Sequence, residues 1–489
     1  MNILYVVKGL SIVEPLGVMQ ISAAAKTRGH KSFLGVIDNG GIPELIRKEK
    51  IALVAFSLLS TEARVFLETA KQIKLLYPNL PIIAGGPHPT YFPQFADAPC
   101  IDAAVLGEGD LIINRIAEAV EQGKDISRIP NVYTKTGKND LIPLVSDLDE
   151  LPFADRELVH HLEPFKYVPM KTFMATRGCP YNCAYCFNNA YKTLYKGNGK
   201  LVRRRSVENL ITEIEQVHRR YPMKFLRFGD DVFVAKYDAW MEEFAEKYKA
   251  RVGIPFYCLI RPNLVTEKLA AALRNSGCHS VAISLETGNE TLRKTVLNRM
   301  IDDETILKAY SILRDYDIKI FSNCMLGLPE STLGDDLKSL DMTFRCKPTY
   351  ASFTVFTPFP GTGLYRLCMD KGYIEKPFEA GEYPESTFQS SCLKTVSESD
   401  KAVHRNILML GALANWQPRL RNLIVNRLLY RKPNKVFNIT GFLVRNYLQR
   451  KIWSIRLNLL YFLRLVLKVY RIDLKNYAKR KQLKNTDKC

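Results

Sequence analysis

Three cysteines within eight residues carry the most specific chemistry in this chain. The run Thr176-Arg177-Gly178-Cys179-Pro180-Tyr181-Asn182-Cys183-Ala184-Tyr185-Cys186 has the spacing C-x3-C-x2-C. So short a loop brings three thiolates to one side, where they can hold irons of a single iron–sulfur cluster. A structural zinc site wants four ligands in closed coordination, and ferredoxin-like clusters also use four cysteines. Three ligands leave one iron open to a substrate or cofactor. Incidental buried cysteines and a zinc site are the competing readings, each much weaker at this spacing. Cys258, Cys278, Cys324 and Cys346 read as core packing, because buried free cysteine is ordinary.

Elements that could position such a loop surround it. The triad follows an apolar run, Thr172–Thr176, and five more candidate strands come after it: Phe225–Phe228, Phe256–Ile260, Ser280–Leu285, Lys319–Met325 and Ala351–Phe356. Long helical patterns such as Val207–Arg220 separate them. This alternation predicts a partial (β/α)6 TIM-like barrel over residues 169–395, with chemistry at the carboxyl ends of the strands. Residues 1–125 alternate in the same way and predict an α/β domain, a doubly wound parallel sheet of Rossmann-like type whose ligands lie beyond the strand ends. Those ends carry Ser57, the turn Gly85-Gly86-Pro87-His88-Pro89-Thr90 and the loop Gly107-Glu108-Gly109. Glycine-rich loops let backbone approach a bulky ligand closely. Residues 126–168, proline-bearing and mixed in polarity, read as a linker, and 396–489 as a basic helical region.

The net charge of +20 sits in one place. Residues 1–400 hold 49 Lys and Arg against 48 Asp and Glu, and 401–489 hold 21 against 2. The segment Ile452–Tyr470 sets Arg456, Arg464 and Lys468 on one arc of a helix with aliphatic residues over the remainder, the pattern of an interfacial amphipathic helix. An anionic membrane surface is the partner this predicts; a helix packed on the barrel with a solvated basic face is the alternative. A nucleic-acid partner is not expected, since no zinc finger or RNA-binding signature accompanies the charge. No cleavable leader or uncharged apolar span is evident, which predicts a cytoplasmic protein, peripheral to the inner face of the membrane.

The cysteine run resembles the signature of the radical S-adenosylmethionine (radical SAM) superfamily, C-x3-C-x-aromatic-C, with Tyr185 at the aromatic place. Further similarity extends over most of residues 170–365. Phe228-Gly229-Asp230-Asp231 resembles the element that contacts the methionine amino group, and Ser284-Leu285-Glu286-Thr287-Gly288 the element that offers a carboxylate to the cofactor. Met325-Leu326-Gly327-Leu328-Pro329 resembles the element beside the adenine. The first domain is similar to the cobalamin-binding domain of one large subfamily, with a generic nucleotide or flavin site as the competing reading.

The resemblance implies a [4Fe–4S] cluster on Cys179, Cys183 and Cys186, S-adenosylmethionine on the open iron near Gly229, Asp230, Asp231, Ser284, Glu286 and Gly327, and cobalamin near Ser57, Gly85, Gly86, Pro87, His88, Gly107, Glu108 and Gly109. The loop Lys8–Pro15 has no histidine where the other cobalamin pattern places its cobalt ligand. The implied activity is methyl transfer to an unactivated carbon of a small-molecule or lipid-like substrate, with a ferredoxin or flavodoxin as reductant. The alternatives are radical cyclisation or oxidation with the same cofactors and, outside catalysis, a corrinoid or redox sensor.

Overall fold

The first apolar hexapeptide already shows how the N-terminal domain is layered. Residues alternate across a strand, and in β1 (Asn2–Val7) this sends Ile3, Tyr5 and Val7 into one core and Leu4 and Val6 into another. The first core is closed by α1 (Leu16–Lys26) and the second by α2 (Ile42–Lys48), reached through β2 (Lys31–Val36). Then follow β3 (Leu53–Ser57), α3 (Ala63–Leu76), β4 (Ile82–Gly85), the short α4 (Pro87–Tyr91), β5 (Ala103–Val105) and α5 (Ile112–Glu121). Strands β1 to β5 are parallel, in the order β2-β1-β3-β4-β5. A strand flanked by helices on both faces is apolar on both, which is why these strands read as continuous hydrophobic runs. The computed structural model describes residues 1–375 and 390–455.

The segment expected as a linker does more than connect. β6 (Val132–Thr134) and β7 (Gly137–Lys138) form an antiparallel hairpin on the β5 edge, making a seven-stranded sheet that is not purely parallel. Val132 alternating with Thr134 on a half-covered edge is a pattern that the neighbouring prolines masked. After the single-turn α6 (Glu157–His160) the chain enters the second sheet.

That sheet holds β8 (Met170–Phe173), β11 (Phe225–Phe228), β12 (Phe256–Leu259), β13 (Cys278–Ala282), β14 (Lys319–Leu326) and β15 (Tyr350–Val355), all parallel and neighbouring in chain order. Sequential parallel neighbours with helical crossovers curl into a barrel wall, here with β8 and β15 as its two edges. The crossovers are α8 (Val207–Arg220), α9 (Ala239–Arg251), α10 (Glu267–Asn275), α11 (Glu290–Thr295) with α12 (Asp303–Asp315), and α13 (Leu333–Cys346). Between β8 and α8 lie β9 (Thr176–Arg177), the cysteine loop, α7 (Phe187–Leu194) and β10 (Arg203–Arg204), which pairs antiparallel with β9. Cys258, Cys278, Cys324 and Cys346 are buried in the core of this domain.

Beyond α14 (Gly363–Asp370), helix α15 (Glu398–Trp416) packs on β15, and after α16 (Pro418–Leu423) helix α17 (Lys435–Ile452) packs on α15. A side chain at Gly441 would meet the Met409 carbonyl at 2.6 Å, so glycine sets how closely α17 lies on α15. The amphipathic segment expected from Ile452 onward lies, from residue 456, outside the described residues; Ile452 itself ends α17.

Candidate cofactor centre

The cysteine loop leaves β9 through Gly178, whose φ of +84° suits glycine alone. A Cβ there would lie 2.3 Å from the Leu201 carbonyl oxygen. Asp230, at the end of β11, fixes the start of the loop: its Oδ1 accepts from the Ala175 amide at 2.9 Å, from the Thr176 amide at 2.5 Å and from the Thr176 hydroxyl at 2.6 Å. Burial pushes its carboxyl up to about 6, against those three donors. Asp230 is therefore a staple of the loop, while the exposed Asp231 beside it faces Cys179 and Cys186 and takes a hydrogen bond from Asn188.

Cys183 is buried and Cys179 and Cys186 are partly exposed. Burial raises the Cys179 thiol and pushes that of Cys186 up to about 12, an environment in which positive charge from bound iron is what would make thiolates. Among the described residues no three His, Cys, Asp or Glu side chains close around a single ion.

Opposite the triad stand two arginines that sequence reasoning passed over. Arg299 donates to the Ser284 carbonyl at 2.8 Å and faces Glu286 at 3.8 Å. The Tyr185 hydroxyl donates to Glu286 Oε1 at 2.8 Å, so the signature aromatic, the carboxylate and Arg299 form one network. Glu286 sits at φ +68°, a strained conformation that turns it inward. Arg261, at the end of β12, lies 3.5 Å over the Tyr181 ring, and its buried Nε and Nη1 have no hydrogen-bond partner. A guanidinium so placed beside the triad is short of an anion. Gly327 is braced from behind: Asp336 accepts from its amide at 3.2 Å, and His404 of α15 donates to that carboxylate at 2.7 Å.

The carboxyl ends of β3, β4 and β5 open on a cavity of about 380 Å³, whose far wall is formed by residues 148–156 and by the strand end that leads into the cysteine loop. Ser57, Gly85, Gly86, Pro87, Gly107, Glu108 and Gly109 line it from the first domain, and Met174, Thr176, Arg177 and Arg205 from the second. It is lined at its inner end by Tyr5, Ile113 and Ile116, between the sheet and α5. No histidine lines it among the described residues. His88 is turned away, packed on Phe92 and Phe95 with Nδ1 at 3.1 Å from the Ser60 hydroxyl; burial lowers it to about 4. The turn's proline and glycine signal loop geometry and say nothing of which way an imidazole points.

Ion pairs clasp the two sides. Arg177, two residues before Cys179, donates to both oxygens of the buried Asp110 at 2.8 and 2.9 Å. Burial opposes ionisation of Asp110, but the guanidinium outweighs it and holds the carboxyl below the ordinary range. Glu108 spends its carboxylate on Arg203 at 2.5 and 2.9 Å, and its amide donates to the Tyr195 hydroxyl at 3.2 Å. Beneath, Glu14 from the β1–α1 loop pairs with Arg156 at 3.2 Å and with His160, and accepts from the Thr172 amide. Burial resists its charge, yet those partners hold its carboxyl at about 2. A lone acid in the apolar stretch Ser11-Ile12-Val13-Glu14-Pro15-Leu16 was the available signal for it.

The comparisons agree with this geometry. Residues 174–342 match the radical SAM superfamily and residues 3–117 the B12 binding domain. The chain belongs to the cobalamin-binding radical SAM enzymes. It is 27% identical over 336 residues to a Pyrococcus horikoshii protein named uncharacterized methyltransferase PH0819, covering 67% of this chain and 72% of that one. It is 24% identical to the anaerobic magnesium-protoporphyrin IX monomethyl ester cyclase of Rubrivivax gelatinosus, over 67% of this chain and 59% of the cyclase. Among solved structures its fold is similar to that of the cobalamin-dependent S-adenosylmethionine radical enzyme OxsB, with TM-score 0.67, 14% identity and coverage of 91% of this chain and 72% of that one. The radical SAM methyltransferase TsrM of Kitasatospora setae gives TM-score 0.62 at 16% identity, covering 77% of each chain. The cofactors of the family are a [4Fe–4S] cluster, S-adenosylmethionine and cobalamin. The residues present fit all three: a loop of three cysteines, an unpaired arginine beside it, and a cavity between glycine loops.

Proposed function

We propose that this enzyme transfers a methyl group to an unactivated carbon of a small-molecule or lipid-like substrate. The observation that carries the reading is Arg177, which lines the cavity between the glycine loops, pairs with Asp110 of the first domain and precedes Cys179 by two residues. One residue thus ties the start of the cysteine loop to the cavity wall of the first domain, as a reaction using both cofactors at one carbon requires. When bound, the cluster supplies the electron that cleaves S-adenosylmethionine and cobalamin carries the methyl group.

The protein's own residues bind, orient and exclude. Cys179, Cys183 and Cys186 hold the cluster, and Asp230 fixes their loop at its first turn. Arg261 takes the carboxylate of S-adenosylmethionine, while Glu286, held by Tyr185 and Arg299, faces the same cofactor. Gly229, Asp231, Ser284 and Gly327 complete that side. The glycine loops at Gly85-Gly86 and Gly107–Gly109, with Ser57, Pro87 and Glu108, cradle the corrinoid. Residues 1–125 form the cobalamin domain and 169–395 the radical core, and a ferredoxin or flavodoxin supplies electrons.

The test is turnover by anaerobically reconstituted enzyme with methyl-labelled S-adenosylmethionine and an extract of cellular lipids and small molecules. The expected result is 5′-deoxyadenosine together with a labelled product. Corrinoid-free protein, or cleavage without 5′-deoxyadenosine, would refute it. The likeness to the magnesium-protoporphyrin cyclase supports a second reading, ring formation or oxidation, in which the product gains no label.

A further inference from the structure

Helix α17 has two apolar faces, and among the described residues only one of them is covered. Gly441, Val444, Leu448 and Ile452 are buried on the side that packs against α15. Val436, Ile439, Leu443 and Tyr447 recur at spacings of three and four, so they form a second stripe on the opposite side. Their exposures of 68, 60, 61 and 48% are far above what a helix closing a core needs. Single exposed apolar residues are ordinary, but an aligned row of four marks an interaction surface. At its end the Tyr447 ring lies 5.1 Å from that of Trp416, and Lys451 Nζ stands 4.9 Å over Tyr447. Indole, phenol and lysine together form the amphipathic cluster that sits at a headgroup boundary.

The surrounding charge says what covers the stripe. Residues 401–455 hold eleven Lys and Arg and no Asp or Glu. Such a surface repels a second copy of itself. Residues 456–489 add ten more cations against two acids, so the charge of the whole tail favours an anionic partner. An apolar row ringed by cations matches an anionic bilayer, with aliphatic side chains in the acyl boundary and basic groups at the phosphates. Nucleic acid would meet the charge but leave the aliphatic row in water.

We propose that α17 docks the enzyme on anionic lipid membranes through Val436, Ile439, Leu443 and Tyr447. Among the described residues no helix is long and apolar enough to cross a membrane, so the contact is with the surface. This stands apart from the reaction proposed above: it holds whether the product is methylated or cyclised.

The experiment is sedimentation of the full-length reconstituted protein with vesicles of phosphatidylglycerol and phosphatidylcholine, beside vesicles of phosphatidylcholine alone. The wild type should pellet with the anionic vesicles and stay largely in solution with the neutral ones. Ile439→Ser with Leu443→Ser removes apolar contact without changing charge and should weaken the anionic binding at least about tenfold. Cluster absorbance and corrinoid content of the double variant verify that it is folded. Unchanged binding of that variant would overturn the proposal and assign the membrane contact to residues beyond 455. A wild type that ignores both vesicles, whether it self-associates through the stripe or pellets only with single-stranded RNA, would overturn it as well.

Discussion

Replacing Asp110 with asparagine tests whether the two cofactor sites are held by one ion pair. Asp110 is buried and takes both guanidinium nitrogens of Arg177 at 2.8 and 2.9 Å. Breaking a buried pair from one side costs about 3–5 kcal/mol, because the surviving charge is stranded. Here Arg177 keeps Glu108 at 3.2 Å and the asparagine oxygen keeps one acceptor, which reduces the expected loss to about 2–3 kcal/mol. The assay is denaturant unfolding of wild type and D110N, with corrinoid affinity measured on the same preparations. If the pair also holds Gly107–Gly109 in place, corrinoid binding falls about tenfold, equivalent to ~1.4 kcal/mol. The pH dependence carries a sign. The folded pKa of Asp110 lies below its unfolded value of about 3.9, so its stabilisation is complete above that pH and is lost as pH falls through the folded value. D110N should lose this acid limb. A variant within 0.5 kcal/mol (roughly the spread of neutral surface substitutions) that also binds corrinoid normally would refute the reasoning.

Three further outcomes follow from the site. Gly178→Ala places a Cβ 2.3 Å from the Leu201 carbonyl at φ +84°, so reconstituted iron should fall to a minor fraction, read by the iron and sulfide content of the purified protein. Arg261→Gln removes a buried cation that has no carboxylate partner among the described residues, and should weaken S-adenosylmethionine binding by about 10–100-fold in equilibrium dialysis while leaving iron content unchanged. Asp230 has the opposite pH sign to Asp110: its folded pKa of about 6 lies above the unfolded value, so stability declines as pH rises from about 4 to 6. Asp230→Asn should abolish that decline, at most ~3 kcal/mol, in unfolding midpoints compared across that range.

The legible parts of this protein were those written in local periodicity and spacing. Continuous apolar runs mark the parallel strands of both sheets, and the C-x3-C-x2-C spacing marks the loop of three cysteines between β9 and α7, because each rests on residues near one another in the chain. Side chains that act at a distance were not legible. Arg177, Arg261 and Arg299 look like ordinary cations until the fold brings Asp110, Tyr181 and Glu286 to them. His88 shows the converse: its glycine-rich turn lines the cavity, but the imidazole packs on Phe92 and Phe95. Asp230 was expected among the cofactor contacts, and its bonded oxygen is occupied by the backbone of residues 175 and 176. The hairpin of β6 and β7 was missed because two short strands between prolines carry too few alternations to register.

The clasp of Arg177, Arg203 and Tyr195 on the loop after β5 bears on how such a chain can be recombined. Each half of the contact is written in a different domain: Glu108 and Asp110 in the first, the arginines and tyrosine in the second. A chimera that grafts the first domain of one relative onto the barrel of another keeps these pairs only where the donor domain carries acids at the places of Glu108 and Asp110; otherwise Arg177 and Arg203 are left without counter-ions. Exchange of corrinoid modules between such enzymes, in a laboratory or a genome, therefore has to carry both halves of the clasp together.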